Sequence, residues 1–351
     1  MRRARKRAQV TASCIALTMA GLLGGGALWR LGHGHAGSVA SPSKALVSPT
    51  ARAATPLHHG NPSLPPRAVA TTARIVPPVQ GAALHTTTMA LTGTALTAPG
   101  SIATGQPGRL ALVDQNGRRV VVLDGQGDIL RPSTRNPVPA PGAIAAVAEG
   151  ANYVYVLDGA RGVVDRYSRT GAFMSKVFSS PLLHDAHGLA LGPNATLYLV
   201  GPRADGVIVV SAATGEVERY IKLPVDADLN GPAGVAVDPR SNVYVLMNTL
   251  GRLVEFTSQD NLVHQWSATA TTGARAEQIA ALGDGRAVAT DPSGALWVYA
   301  TDAAGATTLT RHPLAGGASE PLGVAVAPLG KMLLVTDAKS GRVLTIPLSA
   351  L

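Results

Sequence analysis

A repeat of about 45 residues, which begins at residue 99 and continues to the C-terminus, constrains the fold of this 351-residue chain most strongly. Each copy has an apolar run after a Gly or Pro, a turn, a second apolar run, another turn and a third run. Short apolar runs between turns indicate strands, and this period with three or four strands per unit is typical of a β-propeller. The residues that close the second runs are spaced by 44, 43, 46, 44 and 46 positions: Asp114, Asp158, Gly201, Met247, Asp291 and Asp337.

Six copies therefore predict an all-β domain of six blades. The first strand of each copy is almost wholly small and aliphatic, as in Gly234-Val-Ala-Val237. Such strands suit the crowded position around a central channel, so we expect them to be innermost. The later strands hold most of the Tyr, Trp and Phe residues, which we expect to fill the space between blades.

The fourth copy has the most specific motif. It reads Pro232-Ala-Gly-Val-Ala-Val-Asp-Pro239, followed by Asn242-Val-Tyr-Val245 and Gly251-Arg-Leu-Val-Glu-Phe256. This pattern resembles an NHL repeat, and residues 141–167, 187–211 and 321–346 resemble the same unit. The resemblance implies a six-bladed β-propeller over most of residues 99–351, a fold that hosts many functions.

Three positions depart from this pattern. Gly201 and Met247 stand where other copies have the acidic residue, and the fifth copy lacks the Gly before Ile279. The last copy stops after its third strand, near Leu348. An open sheet edge is a liability, so we expect residues 86–97 to supply the missing outer strand, which places the propeller at residues 86–351.

The N-terminus reads as an export segment at residues 1–31. Five basic residues precede an uncharged span at residues 8–29, whose 22 residues exceed the ~20 that a membrane-spanning helix needs. Basic residues favour the cytoplasmic side, so the remainder would be translocated. Two outcomes stay open: an uncleaved transmembrane anchor, or a signal peptide cut after a small residue. The propeller is expected outside the cytoplasm, either membrane-anchored in the periplasmic or extracellular space, or secreted.

Residues 32–85 are predicted to be a disordered linker. They are rich in Pro, Ala and Thr and have no acidic and no Phe, Trp or Tyr residue. Such a segment buries too little apolar surface to offset its ordering entropy.

The charge distribution argues against nucleic acid as a partner. The net charge is +9, but residues 1–100 hold ten basic residues and no acidic one, whereas residues 101–351 hold 20 basic and 21 acidic residues. A folded nucleic-acid binder should have its positive charge on the folded domain. The single cysteine, Cys14, excludes an intramolecular disulfide and a Cys-based zinc site.

Two residues are candidates for chemistry, His187 and Glu277. Both precede first strands, at positions expected to lie at the channel mouth, and they could face one another across it. A His near a carboxylate can act as a base or as a metal ligand. The equivalent residues of the six copies are Gly100, Gly142, His187, Ala233, Glu277 and Leu322.

Two functions follow, and the sequence favours the first. A non-catalytic binding platform would present propeller loops to a protein, peptide or glycan, with no cofactor. The alternative is a metal-dependent lyase or lactonase with catalytic His187 and Glu277, since His187-Gly-Leu-Ala-Leu-Gly-Pro193 resembles streptogramin lyase repeats, and gluconolactonase-family propellers have channel metals. A hard divalent cation takes about six oxygen ligands, but only one carboxylate occurs among the six mouth positions.

The recurring Asp residues are predicted to fix turns rather than to form a ring of ligands. An Asp at such a position can accept backbone N–H groups. Arg119, Arg252 and Arg342 recur at the start of third strands, where they could pair with these carboxylates.

Overall fold

The structure is a computed structural model that describes residues 74–75, 78–91, 95–105, 108–114, 119–124, 144–170, 172–224, 231–247, 252–267, 276–316, 318–327 and 330–351. The predicted export segment and residues 32–73 of the predicted linker lie outside this part. Among the described residues, no helix is long and apolar enough to span a bilayer.

Four two-residue strands come first: β1 (Arg74–Ile75), β2 (Val79–Gln80), β3 (Leu84–His85) and β4 (Thr87–Thr88). Blades 1 to 3 then contain β5 (Pro99–Gly105), β6 (Arg109–Asp114), β7 (Arg119–Leu123); β8 (Ile144–Glu149), β9 (Tyr153–Asp158), β10 (Val163–Ser168), β11 (Phe173–Ser179); β12 (Gly188–Gly192), β13 (Thr196–Val200), β14 (Gly206–Ser211) and β15 (Val217–Lys222). Blades 4 to 6 contain β16 (Pro232–Val237), β17 (Val243–Met247), β18 (Leu253–Phe256), β19 (Leu262–Ser267); β20 (Ile279–Ala281), β21 (Ala287–Asp291), β22 (Ala295–Thr301), β23 (Thr307–Ala315); β24 (Pro321–Val326), β25 (Met332–Asp337) and β26 (Arg342–Pro347). Short 3-10 helices lie at Pro181–Leu183, Pro193–Ala195 and Leu348–Ala350.

These strands form six antiparallel sheets in which consecutive strands are neighbours. The predicted all-β, six-bladed propeller is therefore confirmed. The first strand of each blade lines the central channel, as expected: β5, β8, β12, β16, β20 and β24. Blade 1 has three described strands, and residues 125–143 after it lie outside the described part.

Glycine lets the inner strands approach one another where they begin. A Cβ atom on Gly188 would clash with the Val200 side chain and lie 3.2 Å from the Cα of Gly234 in the next blade. A Cβ atom on Gly323 would clash with the carbonyl oxygen of Gly100. Larger residues at these positions would push neighbouring blades apart.

Tyrosines fill the gaps between several blades. Tyr155, Tyr198 and Tyr244 occupy equivalent positions on the second strands of blades 2, 3 and 4, and each is buried in a cluster shared with the following blade. Each is paired across the sheet with an inner-strand alanine. Residues paired across two strands lie on the same face of the sheet, so the small alanine occupies the part of the gap near the channel and the large ring fills the part farther out.

The predicted turn-fixing role is confirmed for two of the recurring Asp residues. Asp158 accepts the Arg161 N–H at 3.0 Å and Asp291 accepts the Ser293 N–H at 2.9 Å, each in the turn that follows its strand. Asp114 and Asp337 are buried as well, but they accept the N–H groups of Ala98 at 3.0 Å and Glu320 at 2.9 Å, which directly precede the inner strands of their blades. Arg119 also forms an ion pair with Asp114 at 3.2 Å, as its position predicted.

A segment before the first blade runs along the outer edges of the last three blades. We call residues 74–75 and 78–88 the strap. Strand β1 pairs in parallel with β19 of blade 4, β2 and β3 pair in parallel with β23 of blade 5, and β4 pairs antiparallel with β26 of blade 6. Each contact supplies partners to backbone groups that an outermost strand would leave unpaired.

The strap bears on two expectations from the sequence. The outer strand of blade 6 comes from the predicted stretch at residues 86–97, but it is short, because only Thr87 and Thr88 are in β4 and the Met89 N–H then donates to Val343. The linker was predicted to extend to residue 85. The structure instead pairs residues 74–75, 79–80 and 84–85 with blades 4 and 5, so these residues add strands to the propeller.

Candidate ligand site at the channel mouth

The six inner strands present successive rings of equivalent residues to the channel. Strand register defines one ring that consists entirely of alanine: Ala103, Ala148, Ala190, Ala236, Ala280 and Ala325. The next residue of each strand forms the mouth ring, at the end where inner strands finish: Thr104, Glu149, Leu191, Val237, Ala281 and Val326. Glu149 is the charged member of this ring, and it breaks an otherwise neutral and mainly aliphatic wall.

The mouth ring surrounds a cavity of about 530 Å³. The turns that follow the inner strands complete its wall, including Gly150, Pro193, Asp238 and Gly283. It leads into a narrower section of the channel lined by the alanine ring. Its volume lies in the range of roughly 300–1,000 Å³ that small-molecule pockets occupy.

The Glu149 side chain lies against β5 of blade 1 and is only 7% exposed. A Cβ atom on Gly105 would lie 2.6 Å from the Glu149 Cγ, so the glycine makes room for this side chain. The Glu149 Oε2 atom is buried and has no hydrogen-bond partner among the described residues. A buried carboxylate oxygen without a donor is costly, and a ligand that supplied a donor would remove this cost.

Burial raises the pKa of Glu149 from its ordinary value of 4.5 to about 7, an increase that the nearby Arg109 guanidinium reduces. Burial outweighs the Arg109 charge because a carboxylate away from water loses its hydration. The carboxyl group is therefore close to half ionised at neutral pH and can either accept a proton or bear a charge there.

The other polar side chains of this wall are already hydrogen-bonded. The Thr104 hydroxyl donates to the Val326 carbonyl at 2.7 Å. The buried Asp238 carboxylate accepts from the Arg240 N–H, the Asn242 N–H and the Asn242 amide at 2.8–2.9 Å. Glu149 thus provides the free carboxylate oxygen of the cavity wall.

The two residues singled out from the sequence, His187 and Glu277, lie at the other end of the channel, where the inner strands begin, and so not at the mouth ring. His187 directly precedes β12 and Glu277 lies two residues before β20, and both side chains are exposed. Neither lines the cavity beside Glu149. Asp185, near His187, forms an exposed ion pair with Arg203 at 2.9 Å. Within the described residues, no group of three or more His, Cys, Asp and Glu side chains is placed to hold a metal ion.

A polar bridge lies next to Glu277 and links the inner strands of four blades. The Gln278 Oε1 atom accepts the N–H groups of Ile102 and Val324 at 3.2 and 3.0 Å. Its Nε2 atom donates to the Ser101 Oγ at 2.6 Å, and this oxygen also accepts the Val147 N–H at 3.3 Å. Inner-strand edges face the channel without a neighbouring strand, so Gln278 satisfies N–H groups that no sheet partner reaches.

Sequence reasoning missed both Glu149 and Gln278, although a signal existed for each. Each inner strand contains an aliphatic residue followed by an alanine and a third residue, and the third residue is aliphatic in four of the six strands. Glu149 is the third residue of β8, and it is the charged residue in these six strands. Gln278 is a polar residue at the start of such a strand. Both residues are exceptions to the repeated pattern, and such exceptions are the signal by which the sequence marks them.

Comparisons with known proteins agree with the fold. No family model and no curated protein matches the chain. A streptogramin B lyase structure is 12% identical with a TM-score of 0.54, over 74% of this chain and 96% of that one. Virginiamycin B lyase from Staphylococcus aureus is 12% identical with a TM-score of 0.53, over 75% and 99% of the two chains. Regucalcin from Agrobacterium tumefaciens, a calcium-binding protein, is 14% identical with a TM-score of 0.55, over 76% and 95%.

At such identities, the similarity shows the fold alone. The chain has the architecture of a six-bladed β-propeller, the fold that the resemblance of its repeats implied.

Proposed function

We propose that this protein is a non-catalytic binding propeller that receives its ligand at the mouth ring, where the inner strands end. One observation supports the proposal above all: a cavity of about 530 Å³ is lined by Glu149, a carboxylate that is only 7% exposed and whose Oε2 atom has no hydrogen-bond partner among the described residues. Ligand pockets typically combine an apolar wall with a few polar groups that fix orientation. The mouth ring has this composition.

The surrounding fold suits a rigid binding platform. The six blades pack through buried aliphatic and aromatic clusters, and the strap and Gln278 join blades that are distant in sequence. A preformed cavity in such a frame requires little ordering when a ligand binds. The ligand group that enters could belong to a protein, a peptide, a glycan or a free small molecule.

Filling the cavity tests this proposal. Ala281, a partly buried member of the mouth ring, would be replaced by Trp, and the exposed Ala304 would be replaced by Trp as the matched control. A set of soluble amines, carboxylates, alcohols and saccharides would be screened by saturation-transfer NMR. We expect some compounds to bind the wild type and Ala304→Trp but not Ala281→Trp. Binding that is unchanged in Ala281→Trp, or the absence of binding by any compound, would contradict the proposal.

The enzymatic alternative involves the opposite mouth. Two of the structurally similar proteins are lyases and one is a calcium-binding protein. A metal-dependent lyase or lactonase that uses His187 and Glu277 stays a prediction, and a metal measurement described in the Discussion tests it.

We also propose that the propeller acts outside the cytoplasm, anchored in the membrane or secreted. The support is the sequence pattern of residues 1–31, with five basic residues before a 22-residue uncharged span. In producing cells whose outer envelope has been opened while the cytoplasmic membrane stays intact, full-length protein should be digested by added protease, or it should be recovered in the medium, whereas a cytoplasmic control protein is protected. Protection equal to that of the control would refute this localisation.

A further inference from the structure

We propose that the ligand group received at the mouth ring is a protonated amine, whose ammonium pairs with the Glu149 carboxylate. This inference rests on the proposed function, because it names the chemistry of the ligand for the same cavity. It follows from three features of the wall: the charge, the number of free oxygens and the apolar neighbours.

The negative charge of Glu149 favours a cation as the ligand group. Five members of the mouth ring are uncharged, and the buried Asp238 has its oxygens occupied by turn donors. Arg109, at the start of β6, is the positive group that acts on Glu149. Its charge offsets only part of the increase in the pKa of Glu149 that burial causes. An ionised Glu149 therefore has too little positive charge around it, and a cation with N–H donors would supply both charge and a hydrogen bond to the carboxylate.

The number of free oxygens favours an ammonium over a metal ion. A calcium ion takes six to eight oxygen ligands, and magnesium requires a near-ideal octahedron. Among the described lining residues, Glu149 provides the one free carboxylate, since Asp238 is bound in its turn and the Thr104 hydroxyl donates to Val326. An ammonium has three donors and no fixed coordination geometry, so one carboxylate and neighbouring carbonyl groups are sufficient partners.

The aliphatic residues of the mouth ring determine which kind of group next to the ammonium the cavity can bind. Leu191, Val237, Ala281 and Val326 form an aliphatic wall around the carboxylate. Such a wall binds a hydrocarbon group through burial of apolar surface. Two sources provide an ammonium on a hydrocarbon arm, namely a small free amine and the lysine side chain of a peptide.

The wall also makes binding depend on pH. The charged groups that face the cavity or act on Glu149 are Arg109 and Asp238. Only ionised Glu149 attracts an ammonium. With a pKa of about 7 in the ligand-free protein, the ionised fraction differs roughly 30-fold between pH 5.5 and pH 8.

The experiment uses the full chain and three probes of one shape: benzylamine, benzyl alcohol and benzoate. Dissociation constants would be measured by NMR titration at pH 5.5 and pH 8 for the wild type, Glu149→Gln and Glu320→Gln, the last an exposed surface control. We expect benzylamine to bind best, to weaken roughly 30-fold from pH 8 to pH 5.5, and to lose its preference over benzyl alcohol in Glu149→Gln. Glu320→Gln should behave like the wild type.

Two arms separate the sources of the ammonium. An acetylated Gly-Lys-Gly amide would compete with benzylamine if a peptide lysine enters the cavity, whereas Gly-Gln-Gly would not. Competition by butylamine alone would identify a small free amine as the ligand type.

The outcomes distinguish this inference from the proposed function. Binding of benzyl alcohol or benzoate that equals benzylamine, but is lost in Ala281→Trp, would overturn the amine and leave the binding site intact. Benzylamine binding that is unchanged in both Glu149→Gln and Ala281→Trp would overturn both proposals.

Discussion

Gln278 and Ser101 are hydrogen-bonded between blades 5 and 1, although 177 positions separate them in the sequence. The Gln278 Oε1 atom also accepts an N–H of the intervening blade 6. This amide therefore joins the two ends of the repeat array at the channel, whereas β4 joins blade 6 to blade 1 at the outer edge.

We predict that Gln278→Ala lowers the free energy of unfolding by about 2–4 kcal/mol, because the N–H groups of Ile102 and Val324 lose their acceptor. The neighbouring Glu277→Ala is the control, since Glu277 is exposed and its removal should change stability by less than about 0.5 kcal/mol. Urea denaturation followed by circular dichroism measures both. Equal midpoints for the two variants would show that the bridge does not stabilise the propeller.

We predict that Glu149→Gln stabilises the protein at pH 8 and has little effect at pH 5. The folded state raises the pKa of Glu149 from 4.5 to about 7, so it binds the proton more tightly than the unfolded state does. Stability then falls as the pH rises through this window, by up to about 3 kcal/mol, and Gln removes the fall. Urea unfolding at pH 5, 6, 7 and 8 tests this.

A parallel series on Glu320→Gln would control for general pH effects. If the stability of the wild type rose between pH 5 and pH 8 relative to that of Glu149→Gln, the predicted loss of stability on ionisation of Glu149 would be contradicted.

We predict that Leu84→Ala destabilises the propeller by about 2–4 kcal/mol, because Leu84 is 3% exposed and anchors the strap between blades 5 and 6. Val79→Ala is the matched control in the same strap, since Val79 is 57% exposed and should contribute less than about 0.5 kcal/mol. Thermal and urea unfolding measure both changes. If the strap only lay along the surface, Leu84→Ala and Val79→Ala would lower the stability by equal, small amounts, which would contradict the prediction.

We predict that His187→Ala and Glu277→Ala each leave the stability unchanged within about 0.5 kcal/mol, because both side chains are exposed. They are therefore suitable variants for testing the enzymatic alternative. Metal content would be measured by mass spectrometry on purified wild type and both variants. A stoichiometric metal that either variant loses would support the lyase or lactonase and justify a substrate screen.

The sequence revealed the regular part of the fold because that part is periodic. Six alanines at one register position, the Asp residues that close second strands and the NHL-like motif at residues 232–256 all reflect the same packing in successive blades. The strap has no such signal. Strands of two residues have no alternation to detect, and β1 to β3 are in place because β19 and β23 present outer edges that would otherwise be unpaired.

The candidate site was missed for a related reason. The choice of His187 and Glu277 assumed that chemistry lies where inner strands begin. In the structure that end is crowded by glycine contacts and bridged by Gln278, while the cavity lies where the strands end. Which end is wider depends on strand packing between blades, and the pattern of a single repeat does not contain this information.

The strap also sets the order in which the chain can be completed. Thr87 and Thr345 are hydrogen-bonded across 258 positions, so blade 6 cannot pair with its outer strand until the residues near Thr345 have been synthesised. Contacts between such distant segments form slowly. The ring of blades therefore closes late, and the edge of β26 stays without a partner until the early segment that contains Thr87 returns to it.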